Sequence, residues 1–422
     1  MILRNKYIDK IEKWIGSEKI LILKWARQVW KTTLMKYFYE KLKKDWKQVE
    51  FLNADKILKN DIFDTPEDLI NFIKTKYIFS NSNKLYLFID EFQYIKNAGL
   101  FFKNIFDEYN KSIQIICSGS SSLEITKNSE FLTWRSISFY IDRVWFNDFF
   151  YYNNKEILVN NYSLESFQEL EIFYWFYKNC LENNFKQYLN YGWYPEWIIT
   201  DKKENKEILI SEIIKTYIEK DVVSFLKIEN IRAFNNLIKI LSSNIWELIN
   251  ISEISNVLNI SIATVNKYID ILEWTFIFSR VKPFYTNVRK ELSKMPKIFI
   301  EDLAIKNYEL WEFDSVYNKI NIWADVENFI YNELRKKIDK EKIFFYRTVS
   351  KSEIDFILEE KYWLYTILEV KYKSKVKIPL AFKNFSEKYK ISKKIIITKD
   401  LLKFEQETYF IPACLFPFIE KI

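Results

Sequence analysis

Residues Trp25-Ala26-Arg27-Gln28-Val29-Trp30-Lys31-Thr32-Thr33 spell the pattern G-x-x-x-x-G-K-S/T with tryptophan at both glycine places. The pattern limits the fold sharply, because it works only between a strand and a helix, where the loop's N–H groups curl around a phosphate. Both flanks comply. Ile20-Leu21-Ile22-Leu23 is an apolar run suited to a buried strand, and Thr33-Leu34-Met35-Lys36-Tyr37-Phe38 opens an amphipathic helix. The tryptophans do not comply: the loop needs φ > 0 and a close approach of backbone to phosphate, and a Cβ obstructs both.

Average glycine usage of roughly 7% would place about 30 glycines in a chain of this length. This one has 4 Gly and 14 Trp in 422 residues. The surplus stands where backbone geometry asks for glycine. Trp193 lies in the turn Tyr191-Gly192-Trp193-Tyr194-Pro195-Glu196, and Trp363 between two apolar runs where a hairpin would turn. Trp246 and Trp311 follow helical patterns over 237–245 and 305–310, at the position that favours a left-handed residue. Trp134 precedes Arg135, and Trp323 opens the helix of Ala324-Asp325-Val326-Glu327-Asn328. The expectation is that many of these positions are UGA codons, read as glycine in some bacterial lineages and rendered as tryptophan in translation. Trp14 and Trp175 are the best candidates for ordinary aromatics.

A chain of 422 residues exceeds one ordinary core, so roughly two to four domains are expected. With no histidine and only three isolated cysteines, Cys117, Cys180 and Cys414, zinc sites and His-dependent triads are not expected. Chemistry must then run on carboxylates, lysines, arginines and a metal. The net charge of +7 permits nucleic-acid contact without requiring it. Basic runs such as Lys41-Leu42-Lys43-Lys44 and Arg335-Lys336-Lys337 read as solvated faces; Lys371-Tyr372-Lys373-Ser374-Lys375-Val376-Lys377 lies beside a candidate site. No long uncharged apolar window and no signal-peptide core at Met1-Ile2-Leu3-Arg4-Asn5-Lys6 are present, so no membrane span is expected and the expected location is cytoplasmic.

Lys84-Leu85-Tyr86-Leu87-Phe88-Ile89-Asp90-Glu91 reads as a buried strand ending in an acidic pair. Downstream of a phosphate loop, such a pair suits hydrolysis of ATP: Asp90 to hold Mg²⁺ through water, Glu91 to polarise the attacking water. A third strand, Ile113-Gln114-Ile115-Ile116-Cys117, runs into Ser118-Gly119-Ser120-Ser121-Ser122. Ser118 or Ser120 suits a γ-phosphate sensor there, and a plain serine-rich turn suits the segment nearly as well. Arg135, in Leu132-Thr133-Trp134-Arg135-Ser136, is a candidate arginine finger, acting on its own nucleotide or on that of a neighbouring subunit.

Apolar residues recur at helical spacing over 166–181 and 208–226, as in a helical lid on an ATPase core. Residues 251–273 read as helix-turn-helix, with Ser252 and Ser261 as N-caps. Its second helix offers Thr264, Asn266 and Lys267 for base contact and no arginine, so a structural module and a DNA-binding one both fit. In the last third, Glu327 falls on a helix over 325–338, Asp355 in the strand 354–358, and Glu369 and Lys371 on one face of the strand 367–371. This E…D…E-x-K order is that of PD-(D/E)XK nucleases, where carboxylates hold Mg²⁺ at a scissile phosphate and the lysine stabilises developing charge. Glu353 and Arg347 are candidate supporting contacts. An inherited fold that no longer cuts fits the same residues.

Together the segments WARQVWKTT, LFIDEFQYI, CSGSSSLEI, LTWRS, NYGWYPE, PKIFIEDLAIKN, VENFIYNEL, YRTVSKSEIDFIL and LEVKYK resemble the bacterial and archaeal AAA+ superfamily ATPases whose C-terminal module is a nuclease-like domain of unknown function. The resemblance spans nearly the whole chain. It implies glycine at Trp25, Trp30, Trp134, Trp193 and Trp323, contact of Lys31 with the β/γ-phosphates, and Thr32 as a metal ligand. The expected fold is α/β: a P-loop NTPase (AAA+) parallel-sheet domain over 1–150, a helical lid over 151–235, a winged-helix-like module over 236–290, and an α/β restriction-endonuclease-like domain over 291–422. Expected partners are ATP, Mg²⁺, DNA or RNA, and further copies of the chain. A dead nucleotide site on a DNA-binding or protein-interaction module is the alternative.

Overall fold

The computed structural model describes residues 5–25, 31–57, 61–119, 132–141, 144–158, 160–192, 198, 200, 202–216, 228–284, 295–313, 322–348, 352–361 and 363–422. The chain divides into two compact units, residues 1–144 and 145–422. The first lies close to the expected domain over 1–150. The second is one unit where three were expected, because strands from the helix-turn-helix region and from the nuclease-like region join a single sheet.

In the first unit, β1 (Ile20–Trp25), β2 (Gln48–Asn53), β3 (Leu85–Asp90), β4 (Ile113–Gly119) and β5 (Ser136–Ile141) form a parallel sheet in the order β2-β3-β4-β1-β5. Every residue of β3 and β4 is buried, as a sheet covered on both faces demands. The two-residue alternation of β1 splits the core between those faces. Ile20 and Ile22 pack with Leu69 and Ile73 of helix Pro66–Lys76 and with Phe102 of helix Ala98–Tyr109. Leu21 and Leu23 pack with Ile8 and Ile11 of helix Asn5–Glu12 and with Met35 and Phe38 of helix Lys31–Lys44.

In the second unit, β6 (Tyr162–Ser163) pairs with β15 (Ile419–Lys421), outside the main sheet. The main sheet joins β7 (Phe278–Pro283), β8 (Lys297–Ile300), β9 (Ile343–Arg347), β10 (Glu353–Lys361), β11 (Leu364–Lys371), β12 (Lys390–Thr398), β13 (Lys403–Glu405) and β14 (Thr408–Pro412). Their order is β13-β14-β12-β11-β10-β9-β7-β8. Helix Leu380–Ser386 connects β11 to its parallel neighbour β12, and its Phe382 and Phe385 bury against Ile354, Ile367 and Ile396. Helix Ile322–Lys337 is buried without interruption from Ala324 to Leu334, so even its polar residues Asp325, Glu327, Asn328 and Glu333 are inside. The long helix Phe167–Tyr191 belongs to this unit, where its Phe185 and Tyr188 pack edge-to-face with Phe329 of that buried helix.

Twelve described non-glycine residues have positive φ, and five are tryptophan: Trp46 (57°), Trp134 (66°), Trp246 (67°), Trp311 (57°) and Trp363 (67°). The Cβ makes this region unfavourable by about 1–2 kcal/mol. Trp46 and Trp311 end helices in the same way. After helix Lys31–Lys44, the Trp46 N–H donates to Lys43 O at 3.2 Å and the Lys47 N–H to Leu42 O at 3.0 Å. After helix Leu303–Glu309, the Trp311 N–H donates to Tyr308 O at 3.3 Å and the Glu312 N–H to Asn307 O at 2.8 Å. The left-handed residue of this paired closure is most often glycine. Trp363 sits in the turn between the paired residues Lys361 and Leu364.

Three of the indoles gain no burial, Trp46 being 95% exposed, Trp134 89% and Trp311 84%, whereas Trp246 is half-buried against Trp323. Trp46 was not singled out from the sequence, although it shares the signature of Trp311. Trp193 lies outside the described residues, and Trp323 stands in the first turn of helix Ile322–Lys337, where the backbone does not ask for glycine. Trp46→Gly is expected to raise the urea midpoint, by up to about 1 kcal/mol of relieved strain. A lowered midpoint would show the exposed indole to be stabilising.

Candidate functional site

Parallel pairing of β1, β4 and β3 sets the C-terminal ends of all three on one edge of the sheet, the edge where open α/β sheets bind ligands. β1 ends at Trp25 and the next helix begins at Lys31, so the strand and helix expected around the loop are both present. Ala26, Arg27, Gln28, Val29 and Trp30 lie outside the described residues, as do the side chains of Trp25, Lys31, Thr32 and Thr33.

Asp90 ends β3 on that edge and is 1% exposed. Its Oδ1 accepts the hydroxyl of the fully buried Ser118 and, at 3.1 Å, the backbone N–H of Glu91. Ser118, expected as a phosphate sensor, is thus turned toward Asp90, and Ser120 lies outside the described residues. Glu91 takes a left-handed backbone (φ 56°, ψ 44°), and the Gln93 amide donates to its carboxylate. Gly119 permits that approach: a Cβ there would stand 2.8 Å from the Phe92 ring and 2.9 Å from Gln93 Oε1.

Arg135 lies away from this edge. Its carbonyl accepts the Ile20 N–H at 2.9 Å, which puts it at the beginning of β1, about 17 Å of strand away from the edge that carries Asp90. Its guanidinium is engaged by Asp107 at 2.7 Å, a bond that also holds the Asp107 carboxyl below its usual range. Position and ion pair both hold the guanidinium away from the edge where Asp90 lies.

The second site lies in the C-terminal unit. Glu353 and Asp355 share one face of β10, Glu369 and Lys371 share one face of β11, and helix Ile322–Lys337 supplies Glu327. The Asp355 N–H donates to Glu369 Oε2 at 3.3 Å, and the Val370 N–H donates to Asp355 Oδ2 at 2.7 Å. Lys371 pairs with Glu369 Oε1 at 2.6 Å. The four expected residues are thus brought together, with a fifth that sequence reasoning missed.

That fifth residue is Lys297, the first of β8 and 2% exposed. Its Nζ lies 3.2 Å from Glu327 Oε1, 2.7 Å from Glu353 Oε1 and 3.8 Å from Asp355 Oδ1. In the sequence it is only a lysine before an apolar run, with nothing to separate it from a solvated one. Arg347, 3.9 Å from Glu353 Oε2, completes the charged set.

Burial, then the neighbouring Asp355, pushes Glu327 up to about 8 and Glu369 to about 7. Burial likewise raises Asp355. Burial pulls the Lys297 ammonium down, but Glu327, Asp355 and Glu353 outweigh it and hold it above the ordinary lysine range. Among the described residues no three His, Cys, Asp or Glu side chains converge as metal ligands. The expected Mg²⁺ ligands Glu327, Asp355 and Glu369 form instead a cluster bridged by lysine. The metal does not fit them as they stand, because the Lys297 ammonium contacts Glu327 and Asp355 while Lys371 pairs with Glu369.

The helix-turn-helix residues form helices Ile251–Leu258 and Ile262–Trp274, joined through left-handed Asn259. Ser261 caps the second helix as expected. Asn250, not Ser252, caps the first, because the helix begins two residues earlier than a Ser252 cap implies and the Glu253 N–H reaches Asn250 Oδ1 at 3.3 Å. Asn266 and Lys267 are exposed, whereas the Thr264 hydroxyl bonds Ser261 at 2.8 Å. Among the described residues no helix is long and apolar enough to cross a membrane.

Three family models match parts of the chain: an AAA domain over residues 17–150, a domain of unknown function (DUF8612) over 182–314, and another (DUF4143) over 324–416. An uncharacterized protein of Methanocaldococcus jannaschii is 27% identical, over 96% of this chain and 86% of that protein. One from Haemophilus influenzae is 22% identical, over 85% of this chain and 84% of its own length. Among solved structures, AMPPCP-bound DnaA from Aquifex aeolicus matches with a TM-score of 0.29 and 16% identity, covering 64% of this chain and 87% of that one. The Aeropyrum pernix ORC2 protein in its ADP form matches with a TM-score of 0.35 and 10% identity, covering 73% and 93%. The N-terminal unit is thus similar to an AAA domain, and its sheet is the parallel one that the sequence predicts.

Proposed function

We propose that the N-terminal unit binds and hydrolyses MgATP. The observation that carries this is the meeting, on one edge of a parallel sheet, of the β1-to-helix junction at residues 25–31 with the buried carboxylate of Asp90. A buried carboxylate oriented by two donors is the oxygen chemistry a hard cation takes, and with Thr32 it would hold Mg²⁺, which neutralises charge developing on the phosphates. Lys31 meets the β/γ-phosphates and Glu91 orients the attacking water. Arg135 acts on the nucleotide of a neighbouring copy in a homo-oligomer, a reading supported by its distance from the Asp90 edge of its own sheet. The test is hydrolysis by the purified chain: Lys31→Ala and Asp90→Asn are each expected to lower turnover to background, and turnover unaffected by both would overturn the assignment.

The C-terminal unit enters this proposal as a nucleic-acid-binding module in the cytoplasm. Exposed Asn266 and Lys267 on helix Ile262–Trp274 favour it, and the lysine-bridged carboxylates argue against metal-dependent cutting. We further propose that tryptophans at left-handed positions are glycine in the cellular protein, encoded by UGA. The five positive φ values support this. Mass spectrometry of the protein from its native cells is expected to find peptides over positions 46, 311 and 363 lighter by the difference between a tryptophan and a glycine residue. Intact tryptophan at all three would overturn recoding and favour a dead nucleotide site.

A further inference from the structure

We infer that Lys297 is the resident cation of the C-terminal site: its ammonium stands between Glu327 and Asp355, two of the carboxyl groups a divalent metal would need, so the site takes no metal while that ammonium is there. The proposal rests on the geometry of the C-terminal unit alone and is independent of ATP hydrolysis by the N-terminal one. Three carboxylates from two elements converge on one nitrogen, Glu327 at 3.2 Å, Glu353 at 2.7 Å and Asp355 at 3.8 Å. These three ion pairs do not involve a tryptophan, although the Trp246 ring also lies 5.8 Å from the nitrogen. The nitrogen lies 5.5 Å from the centre of the Phe345 ring, which helps close it off from water.

Three further oxygens of the cluster are also engaged by the protein. Asp355 Oδ2 accepts the Val370 N–H, Glu369 Oε2 accepts the Asp355 N–H, and Glu369 Oε1 pairs with Lys371. A hard divalent ion needs several oxygens in direct contact. Here it would have to displace backbone donors and sit against an ammonium that burial leaves poorly screened. Lys297 thus performs a metal's structural task, holding carboxyl groups from β10 and helix Ile322–Lys337 together, without a metal's Lewis acidity.

The consequence is a latent cation site that a single substitution should uncover. Mn²⁺ binding is measured by electron paramagnetic resonance on the full chain without nucleotide, every protein carrying Asp90→Asn so that the N-terminal unit contributes no metal ligand there. The parent is expected to hold no Mn²⁺ that depends on Asp355. Lys297→Met is expected to gain one Mn²⁺ per chain, lost again when Asp355→Asn is added, and folding of Lys297→Met only when Mn²⁺ is supplied counts as the same gain. A parent that holds Mn²⁺ through Asp355 overturns the inference, as does a folded Lys297→Met that holds none. If Lys297→Met folds under neither condition, the parent decides: no Asp355-dependent Mn²⁺ sustains the inference and its presence overturns it.

Discussion

Glycine at positions 25 and 30 is expected to raise MgATP turnover by roughly 10²- to 10³-fold for each phosphate-binding backbone donor that tryptophan displaces. β1 delivers the chain to the phosphate edge at Trp25 and the helix resumes at Lys31, so the loop has only five intervening residues in which to curl. A curl that tight brings its N–H groups close around a phosphate only if its two punctuating residues present no Cβ. The measurement compares the chain as written with Trp25→Gly/Trp30→Gly at saturating MgATP, and adds Lys31→Ala to the glycine form as the background. Equal turnover in the first two, both abolished by Lys31→Ala, would mean that the loop tolerates tryptophan.

Removing the charge of Lys297 is expected to cost about 3–5 kcal/mol near pH 8, because a buried pair broken on one side leaves its partners uncompensated. The cost should shrink toward pH 5, where the carboxylates can take up protons instead. The parent itself carries a related dependence through Glu327, whose carboxyl is pushed up to about 8 by burial and by Asp355 from an ordinary 4.5. Between these values the folded chain keeps a proton that the unfolded chain has lost. Stability therefore falls as pH rises through that window, by up to about 1.4 kcal/mol per unit. Urea midpoints of the parent, Lys297→Met and Glu327→Gln at pH 5 and pH 8 check both statements. Glu327→Gln should flatten the slope, and an unchanged slope would mean that Glu327 is ionised throughout.

Much of the N-terminal unit was legible because its signals are local. Alternation and continuous apolar runs marked β1, β3 and β4, and the loop pattern located the strand-to-helix junction. Glu327, Asp355, Glu369 and Lys371 were legible for the same reason, since a shared strand face follows from a spacing of two. Ser252 was misread as a cap because Asn250 and Ser252 are both good capping residues, and only the backbone decides which N–H comes within reach.

The sequence by itself determined the strands β1, β3, β4, β10 and β11 and marked Trp246, Trp311 and Trp363 at positions that favour a left-handed residue, because each is written in the chemistry of adjacent residues. Tertiary structure alone decided three matters, each of them a long-range pairing. Arg135 stands at the far edge of its own sheet because β5 runs parallel to β1. Residues 145–422 close into one unit because β7, β8 and β9 join the sheet of β10 to β14. Lys297 meets Glu327, Glu353 and Asp355 across 30 to 58 residues of chain. No local pattern distinguishes such a lysine from a solvated one, since only folding removes the water that would otherwise have been its partner.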